Sequence, residues 1–298
     1  MATLTTQPTP PPPPPAPDPA GSGPPSGRMG TPGGDPTGRP RSSGRGILIG
    51  MVLGVVVLLG LGAAGVVAAM LPGDGATDTG TEAFADIDSI VLDLGGADVE
   101  LVAGAGDVVV DHEVRTGALG GEAGAVARDG TLELTFDCPG WAQLPFDGVC
   151  DGEYTITVPA GVVVTGGTDN GSLRVDGLDS RLSLHTGNGD IHMVGTGGDI
   201  EVDTSNGRIT GTHLVSPSAR ATTSNGGVVL DFAVAPRNVE VDTSNGLVHV
   251  QVPDDATSYD VDASTSNGSV STSVTVDESS SRRVELTSSN GNVVVETR

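Results

Sequence analysis

The sequence predicts an all-β fold in which the chain winds as a β-solenoid, a stack of similar rounds. Asn-Gly occurs seven times between residues 170 and 291, at intervals of 18 to 23 residues. A period near 20 residues indicates an array of units that stabilise one another by stacking. Pairs of apolar residues in strand-like alternation also recur every nine residues, as at Leu182/Leu184 and Ile191/Met193. Alternation of this kind marks short strands with one buried face.

Each predicted round has two short strands, joined by a fixed corner and a variable return connection. Gly accepts positive φ and Asn tolerates the left-handed region, so Asn-Gly is expected to turn the chain sharply. Later corners place Thr-Ser before Asn-Gly, and we expect these hydroxyls to bond backbone groups and the Asn side chains to form a ladder. The predicted corners are Asn170 and Gly171, Asn188 and Gly189, Asn206 and Gly207, Asn225 and Gly226, Asn245 and Gly246, Asn267 and Gly268, and Asn290 and Gly291.

A meander of hairpins is the alternative, because Asn-Gly is also the strongest signal for a two-residue hairpin turn. In that fold Val241 would face Val250 across an antiparallel pair. The solenoid is favoured because a hairpin turn has no need for a repeated Thr-Ser before Asn-Gly. A narrow interior also suits the composition, since Phe232 and Tyr259 are the only aromatic residues after position 160.

The N-terminal part divides into three predicted segments. Residues 1–45 are rich in Pro, Gly, Ser and Thr and cannot bury enough apolar surface to fold, so a disordered arm is expected. Residues 46–71 are 26 uncharged, mostly apolar residues, more than the roughly 20 needed for a transmembrane helix. Residues 72–84 are predicted to be a linker.

The distribution of charge predicts how the chain is oriented in a membrane. Arg39, Arg41 and Arg45 precede the apolar segment, and Asp74, Asp78 and Glu82 follow it. The positive-inside rule therefore predicts a single-pass protein of the cell membrane, with the arm in the cytoplasm and the C-terminal domain outside. The net charge of the whole chain is -24, so we expect no nucleic-acid partner.

Residues 85–160 are predicted to be an N-terminal β part that caps the solenoid, and residues 161–298 the solenoid of Asn-Gly rounds. Cys138 and Cys150 lie in the first of these parts. Because thiols outside the membrane usually oxidise, we predict a disulfide between them. Two reduced thiols, or half of a metal site, are the alternatives, although no CxxC spacing supports a metal.

The apolar anchor, the Cys138-Pro139 to Cys150 passage with Tyr154-x-Ile156-x-Val158-Pro, and the Ser/Thr-Asn-Gly-x-Val rounds together resemble the DUF4097 family of bacterial adhesin-type proteins, described as toastrack β-strand repeats. The resemblance covers residues 85–298. It implies a β-solenoid-like fold and a location in the cell envelope, and it implies no reaction. Abundant Gly, Ala, Val and Arg without Lys is typical of an actinobacterium.

We expect no enzymatic activity, no cofactor and no metal site. A polysaccharide lyase would need a carboxylate cluster beside a basic residue, whereas the chain has no Lys and its Arg residues are scattered. The expected function is that of an acidic extracellular scaffold that binds a cell-wall polymer or an envelope protein. The return connections 253–259 and 277–283 are candidate specificity loops. The alternative function is a sensor or accessory protein in envelope-stress signalling, and the sequence predicts no oligomeric state.

Overall fold

The computed structural model describes residues 66–70, 76–116, 121–137 and 150–298. All regular structure in these residues is β-strand, with 23 strands in two sheets, so the all-β prediction is confirmed. No helix in these described ranges is long and apolar enough to cross a membrane.

The first sheet, sheet A, has twelve strands. In spatial order they are β1 (Val66–Met70), β6 (Glu122–Arg128), β7 (Thr131–Asp137), β3 (Ser89–Asp93), β9 (Val163–Thr168), β11 (Leu182–Thr186), β13 (Asp199–Thr204), β15 (Ser218–Asn225), β17 (Asn238–Asn245), β22 (Arg283–Asn290), β19 (Ser258–Asn267) and β21 (Thr275–Val276).

The second sheet, sheet B, has eleven strands. In spatial order they are β2 (Ala76–Phe84), β5 (Val108–Thr116), β8 (Asp151–Pro159), β4 (Asp98–Gly104), β10 (Leu173–Asp176), β12 (Ile191–Val194), β14 (Ile209–Leu214), β16 (Val228–Phe232), β18 (Val248–Val252), β23 (Val293–Thr297) and β20 (Val270–Thr272).

From β9 onward, each round contributes one strand to each sheet and pairs in parallel with neighbouring rounds. Val241 pairs with Ala221 and Leu286 in sheet A. Val250 pairs with Leu230 and Val295 in sheet B, so the two residues that a hairpin would bring together lie in different sheets. The parallel pairing agrees with the solenoid prediction and excludes the hairpin meander for these rounds.

A narrow apolar interior lies between the two sheets. Alternate residues of each strand point inward, so β11 and β23, for example, show alternating burial along their length. Most of the inward side chains are Val, Leu and Ile, and Phe232 and Tyr259 are the large rings buried in the later rounds. Small and medium side chains therefore make up most of the interior between the two strands of one round.

The last two rounds stack in the reverse of their sequence order. The C-terminal round, β22 and β23, lies between the round of β17 and β18 and the earlier round of β19 and β20. The inward residues Val284, Leu286, Val293 and Val295 of the C-terminal round are fully buried. Their counterparts in the other round are Val261, Ala263, Val270 and Thr272. The exchange therefore buries the more apolar round and leaves the more polar one at the end of the stack.

The N-terminal strands end the stack on the opposite side through antiparallel pairs, β1 with β6 and β2 with β5. Ala76–Phe84 was predicted as linker but forms β2, which pairs with β5 over its whole length. Its sequence, ATDTGTEAF, lacks the alternation of apolar residues that marks a half-buried strand, so the sequence pattern did not predict it. The strand forms because the edge of β5 is available for pairing.

Val66–Met70 was predicted as the end of the membrane helix and forms β1 instead. The β-branched residues Val66 and Val67 favour a strand where an edge such as that of β6 is available for pairing. The rest of the predicted helix, residues 46–65 and 71, and the predicted disordered arm lie outside the described residues.

The exchanged order of the last rounds can be tested with two matched Val→Ala substitutions. Val293 and Val270 are register partners in β23 and β20, but Val293 is fully buried and Val270 is 45% exposed. We expect Val293→Ala to lower the free energy of unfolding by about 2 kcal/mol or more, and Val270→Ala by less than about 1 kcal/mol. Urea unfolding followed by circular dichroism measures both. A larger loss at Val270 would indicate stacking in sequence order.

Candidate functional site

The Asn-Gly corners of successive rounds lie one above another along one side of the solenoid. Six hydrogen bonds of 2.8 to 3.1 Å join the side chains of the seven corner asparagines, each from the amide nitrogen of one Asn to the side-chain oxygen of the Asn in the neighbouring round. The ladder runs through Asn170, Asn188, Asn206, Asn225, Asn245, Asn290 and Asn267, with the last two in exchanged order. All seven side chains are therefore held in one direction.

The residue two positions before each Asn fastens the corner from inside. Thr186 Oγ1 donates to the Gly171 carbonyl at 2.8 Å, and Thr204 Oγ1 donates to the Gly189 carbonyl at 3.0 Å. The same bond, from the hydroxyl of one round to the corner glycine of the preceding round in the stack, recurs at Thr223, Thr243, Ser288 and Thr265. Most of these hydroxyls are buried, so the bond satisfies a carbonyl that water does not reach.

The corner glycines are required by close contact and, in six of seven cases, not by a left-handed backbone. A Cβ on Gly189 would lie 1.8 Å from the Gly171 carbonyl oxygen, and one on Gly226 would lie 1.9 Å from that of Gly207. Among the corner residues only Gly291 has a positive φ, of 158°. The expectation that Asn-Gly turns the chain through positive φ is thus wrong for the other corners, where strand backbones approach too closely for any side chain.

The outward side of these corners forms a continuous polar surface. We call it the corner ridge: the seven ladder asparagines together with the exposed Ser205, Ser224, Ser244, Ser266 and Ser289. These residues carry no charge, whereas the whole chain has a net charge of -24. The ridge is therefore a neutral strip of hydroxyl and amide groups on an acidic molecule.

Charged side chains on the outer faces of the sheets pair across neighbouring rounds. Arg174 Nε lies 3.1 Å from Glu100 Oε1, and Arg283 Nη1 lies 3.4 Å from Asp260 Oδ2. Both pairs are largely exposed, so each contributes little to stability. Cross-round pairing nevertheless offsets part of the repulsion among the acids.

The C-terminal residue makes a closer contact. Arg298 Nε donates to Asp231 Oδ1 at 2.6 Å, and the Arg298 backbone N–H donates to the Val252 carbonyl at 3.0 Å. The Arg298 side chain, followed by the His213 backbone N–H, holds the pKa of Asp231 below its ordinary value, although partial burial opposes the shift. This pair ties the end of the chain to an earlier round.

The two candidate specificity loops are also the connections that exchange the last rounds. Residues 253–257 lead from β18 to β19, and 277–282 lead from β21 back to β22. The Asp277 N–H donates to the Tyr259 carbonyl at 2.9 Å, and Ser280 Oγ donates to the Ser258 carbonyl at 2.8 Å. Arg282 donates to the Ala235 and Pro236 carbonyls at 2.7 Å. The extra residues of these loops therefore connect the exchanged rounds and bond them to their neighbours.

Among the described residues, no group of three or more His, Cys, Asp or Glu side chains is arranged to hold a metal ion. Cys138 lies outside the described residues, so its disulfide with Cys150 stays a prediction. The sequence did not predict free edges on β19 and β20. In sequence order the round of β22 and β23 follows them and would cover these edges.

From β9 onward, the parallel pairing within both sheets, the fixed corners and the ladder define a β-solenoid of stacked two-strand rounds. The sequence model of the toastrack DUF4097 family matches residues 93–298. The chain belongs to this family, as the resemblance in its sequence indicated.

Several solved structures align with most of the chain. A "putative adhesin" from Parabacteroides distasonis ATCC 8503 is 14% identical, with a TM-score of 0.43, over 76% of this chain and 99% of that one. A "putative adhesin" from Bacteroides fragilis NCTC 9343 is 13% identical, with a TM-score of 0.41, over 76% and 100%. A "putative lipid binding protein" from Parabacteroides distasonis is 12% identical, with a TM-score of 0.29, over 76% and 99%. No curated protein matches this chain.

The contact between corner glycines predicts a large effect of a single methyl group. We expect Gly226→Ala to lower the free energy of unfolding by roughly 3 kcal/mol, because its Cβ would overlap the Gly207 carbonyl. Gly96→Ala is the matched control, since nothing lies within 4 Å of a Cβ there. The control should change stability by less than about 1 kcal/mol. Equal losses in urea unfolding would contradict the contact.

The Arg298 pair predicts a pH-dependent loss of stability. Arg298→Gln should lower the free energy of unfolding at pH 7 by a small amount, because the pair it removes is exposed on the Arg298 side. Because the pKa of Asp231 is lowered in the folded protein, its contribution is present above its ordinary pKa of 3.8 and disappears as pH falls through the folded value. The difference between the proteins should therefore close in acid. Asp231→Asn and the double variant complete a double-mutant cycle, and a coupling unchanged by pH would contradict this origin.

Proposed function

We propose that this chain is a non-enzymatic, single-pass protein of the bacterial cell envelope that uses its solenoid to bind a wall polymer. The arm lies in the cytoplasm and the solenoid lies outside. Gly46 to Gly65 alone provide 20 uncharged residues, which is enough to cross a bilayer as a helix even when β1 forms after them. The charge asymmetry around this segment supports the orientation.

The corner ridge is the observation that supports polymer binding. Its hydroxyl and amide groups repeat with the spacing of the rounds, about 4.8 Å, over six steps or roughly 29 Å. A linear polymer with a regular repeat uses the same contact several times along such a surface, and weak contacts then add up. The ladder bonds already hold the Asn side chains, so binding loses little side-chain entropy.

The charge of the solenoid disfavours a polyanion, and the uncharged ridge favours a partner that is neutral where it meets the protein. The ridge supplies hydrogen-bond donors and acceptors without a charge of its own, and it is flanked by acidic faces. An uncharged glycan strand, or a stretch of wall peptide, fits these conditions better than a polyanion does.

Retention on isolated cell walls tests the proposal. Full-length protein in detergent should sediment with purified wall material in a saturable manner. Ser224→Glu combined with Ser244→Glu places two charges on the ridge and should weaken retention about tenfold or more. Val215→Glu with Val234→Glu adds the same charge at exposed positions of the return corners, outside the ridge, and should have little effect.

The outcome separates wall binding from signalling. Equal weakening by both pairs would show a general effect of charge and would remove the ridge from the proposal. A protein that ignores wall material, and that is instead captured by a defined partner through residues 1–45, would favour the envelope-stress alternative.

A further inference from the structure

The last round of the stack, β19 and β20, is paired with a neighbouring round on one side only. β19 has β22 on one side, and on the other side β21 covers only Ser258 and Tyr259. β20 has β23 as its single neighbour among the described strands. Residues 260–267 and 270–272 therefore form two free parallel edges, joined by the corner at Asn267 and Gly268. We call this part of the molecule the open end.

The backbone of the open end has unused hydrogen-bonding groups. The Asp260 N–H donates to the Arg282 carbonyl at 2.8 Å, toward the inner neighbour of β19. Because successive residues of a strand direct their backbone groups to opposite sides, Val261, Ala263 and Thr265 direct theirs outward. Such an edge is a template for another strand.

The corner of the open end offers acceptors in defined positions. In the two preceding rounds of the stack, the oxygen of the corner Asn accepts a hydrogen bond from the Asn of the round that follows toward the open end. The carbonyl of the corner Gly accepts one from the Thr or Ser of that same following round. Asn267 and Gly268 occupy these positions at the open end, where no further described round follows. A second open end turned to face this one would bring acceptor against acceptor, which disfavours a symmetric pair of copies.

The outer face adds a charge requirement. Glu240, Glu285 and Asp262 lie in register on neighbouring strands and form a column of acidic residues that reaches the open end. Arg283 bonds Glu285 at 3.1 Å, whereas Asp262 has no ion pair among the described residues. Lower in the same column, Arg220 lies between Glu201 and Glu240 and makes an ion pair with Glu240. A basic residue opposite Asp262 would reproduce that arrangement and offset the repulsion.

An apolar surface lies between the two free edges. Val270 is 45% exposed, and Val261 and Ala263 are only partly buried although they point toward the core. In the preceding rounds of the stack, the equivalent positions are covered by the following round. Inward residues of an added strand would cover them here.

We propose that the open end binds an extended segment of a partner protein, which adds in parallel as one more round. The segment has the order basic–x–x–Thr/Ser–x–Asn–Gly, so that its basic residue meets Asp262, its hydroxyl meets Gly268 and its amide meets Asn267. This deepens the proposed function by adding a class of protein partner to wall binding. The partner is a protein with a corner of the same type as those of this chain.

Residues 218–232 of this chain provide a probe, because they contain Arg220, Thr223, Asn225 and Gly226 in this order. A fluorescent peptide of this sequence should bind full-length protein in detergent micelles in a saturable manner, measured by anisotropy. Peptides with Arg220→Glu or Asn225→Asp should each bind at least about tenfold more weakly, since each places an acid opposite an acceptor or a carboxylate.

Substitutions in the protein locate the binding site. Asp262→Arg should weaken binding of the peptide about tenfold, and Asp203→Arg, an exposed position on the same sheet, should not. Ala263→Pro removes an outward N–H and should block strand addition, while an edge position tolerates proline. Thermal unfolding checks that each variant is folded, and Asp262→Arg keeps the test decisive if Ala263→Pro does not fold.

The proposal would be overturned by absence of saturable binding, by equal binding of all three peptides, or by equal binding to the Asp262→Arg and Asp203→Arg proteins. Concentration-dependent self-association that excludes the peptide would also overturn it, because the open end would then belong to a second copy. Wall retention depends on the corner ridge and not on Asp262. Loss of wall binding with intact peptide binding therefore contradicts only the proposed function.

Discussion

The contact of glycine with glycine at the corners is the constraint on which the rest of the structure depends. Parallel strands of adjacent rounds are about 4.8 Å apart, and at the corner the backbones approach so closely that a Cβ would lie within 2.0 Å of a carbonyl oxygen. With glycine there, the corner hydroxyl reaches the glycine carbonyl of the adjacent round, and the Asn side chains align. A side chain at one of these positions would separate two rounds and break both sets of bonds.

This constraint also explains why the surface of the solenoid is regular. Because every corner repeats the same bonds, the outward serines and asparagines keep a constant spacing along the ridge. Rounds that share one geometry are interchangeable as neighbours, so the apolar content of each round decides its place. The round with Val284, Leu286 and Val293 therefore occupies an interior position, and the round with Ala263 and Thr272 ends the stack.

The ladder at the corners was predictable because its period and its chemistry are both local to the sequence. Asn recurs at the spacing of one round, and amides stacked at strand distance bond to one another. The reason for glycine was not predictable in the same way, since it lies in a neighbouring round. Local rules assign Asn-Gly to a left-handed turn, whereas the backbone of the next round requires glycine at a conformation that other residues also adopt. Strand β2 was missed for a similar reason, because its polar sequence pairs with an edge formed by residues 108–116.

The sequence by itself determined the all-β class, the number of Asn-Gly corners, the narrow core of small apolar residues and the acidic surface. These properties follow from composition and from periods of two, nine and about twenty residues, which each round carries within itself. Only the tertiary structure decided which rounds are neighbours, where the stack ends and which groups remain open there. Equivalent corners fit one another in any order, so the choice depends on the total apolar surface buried by the whole stack, a quantity that no single round contains.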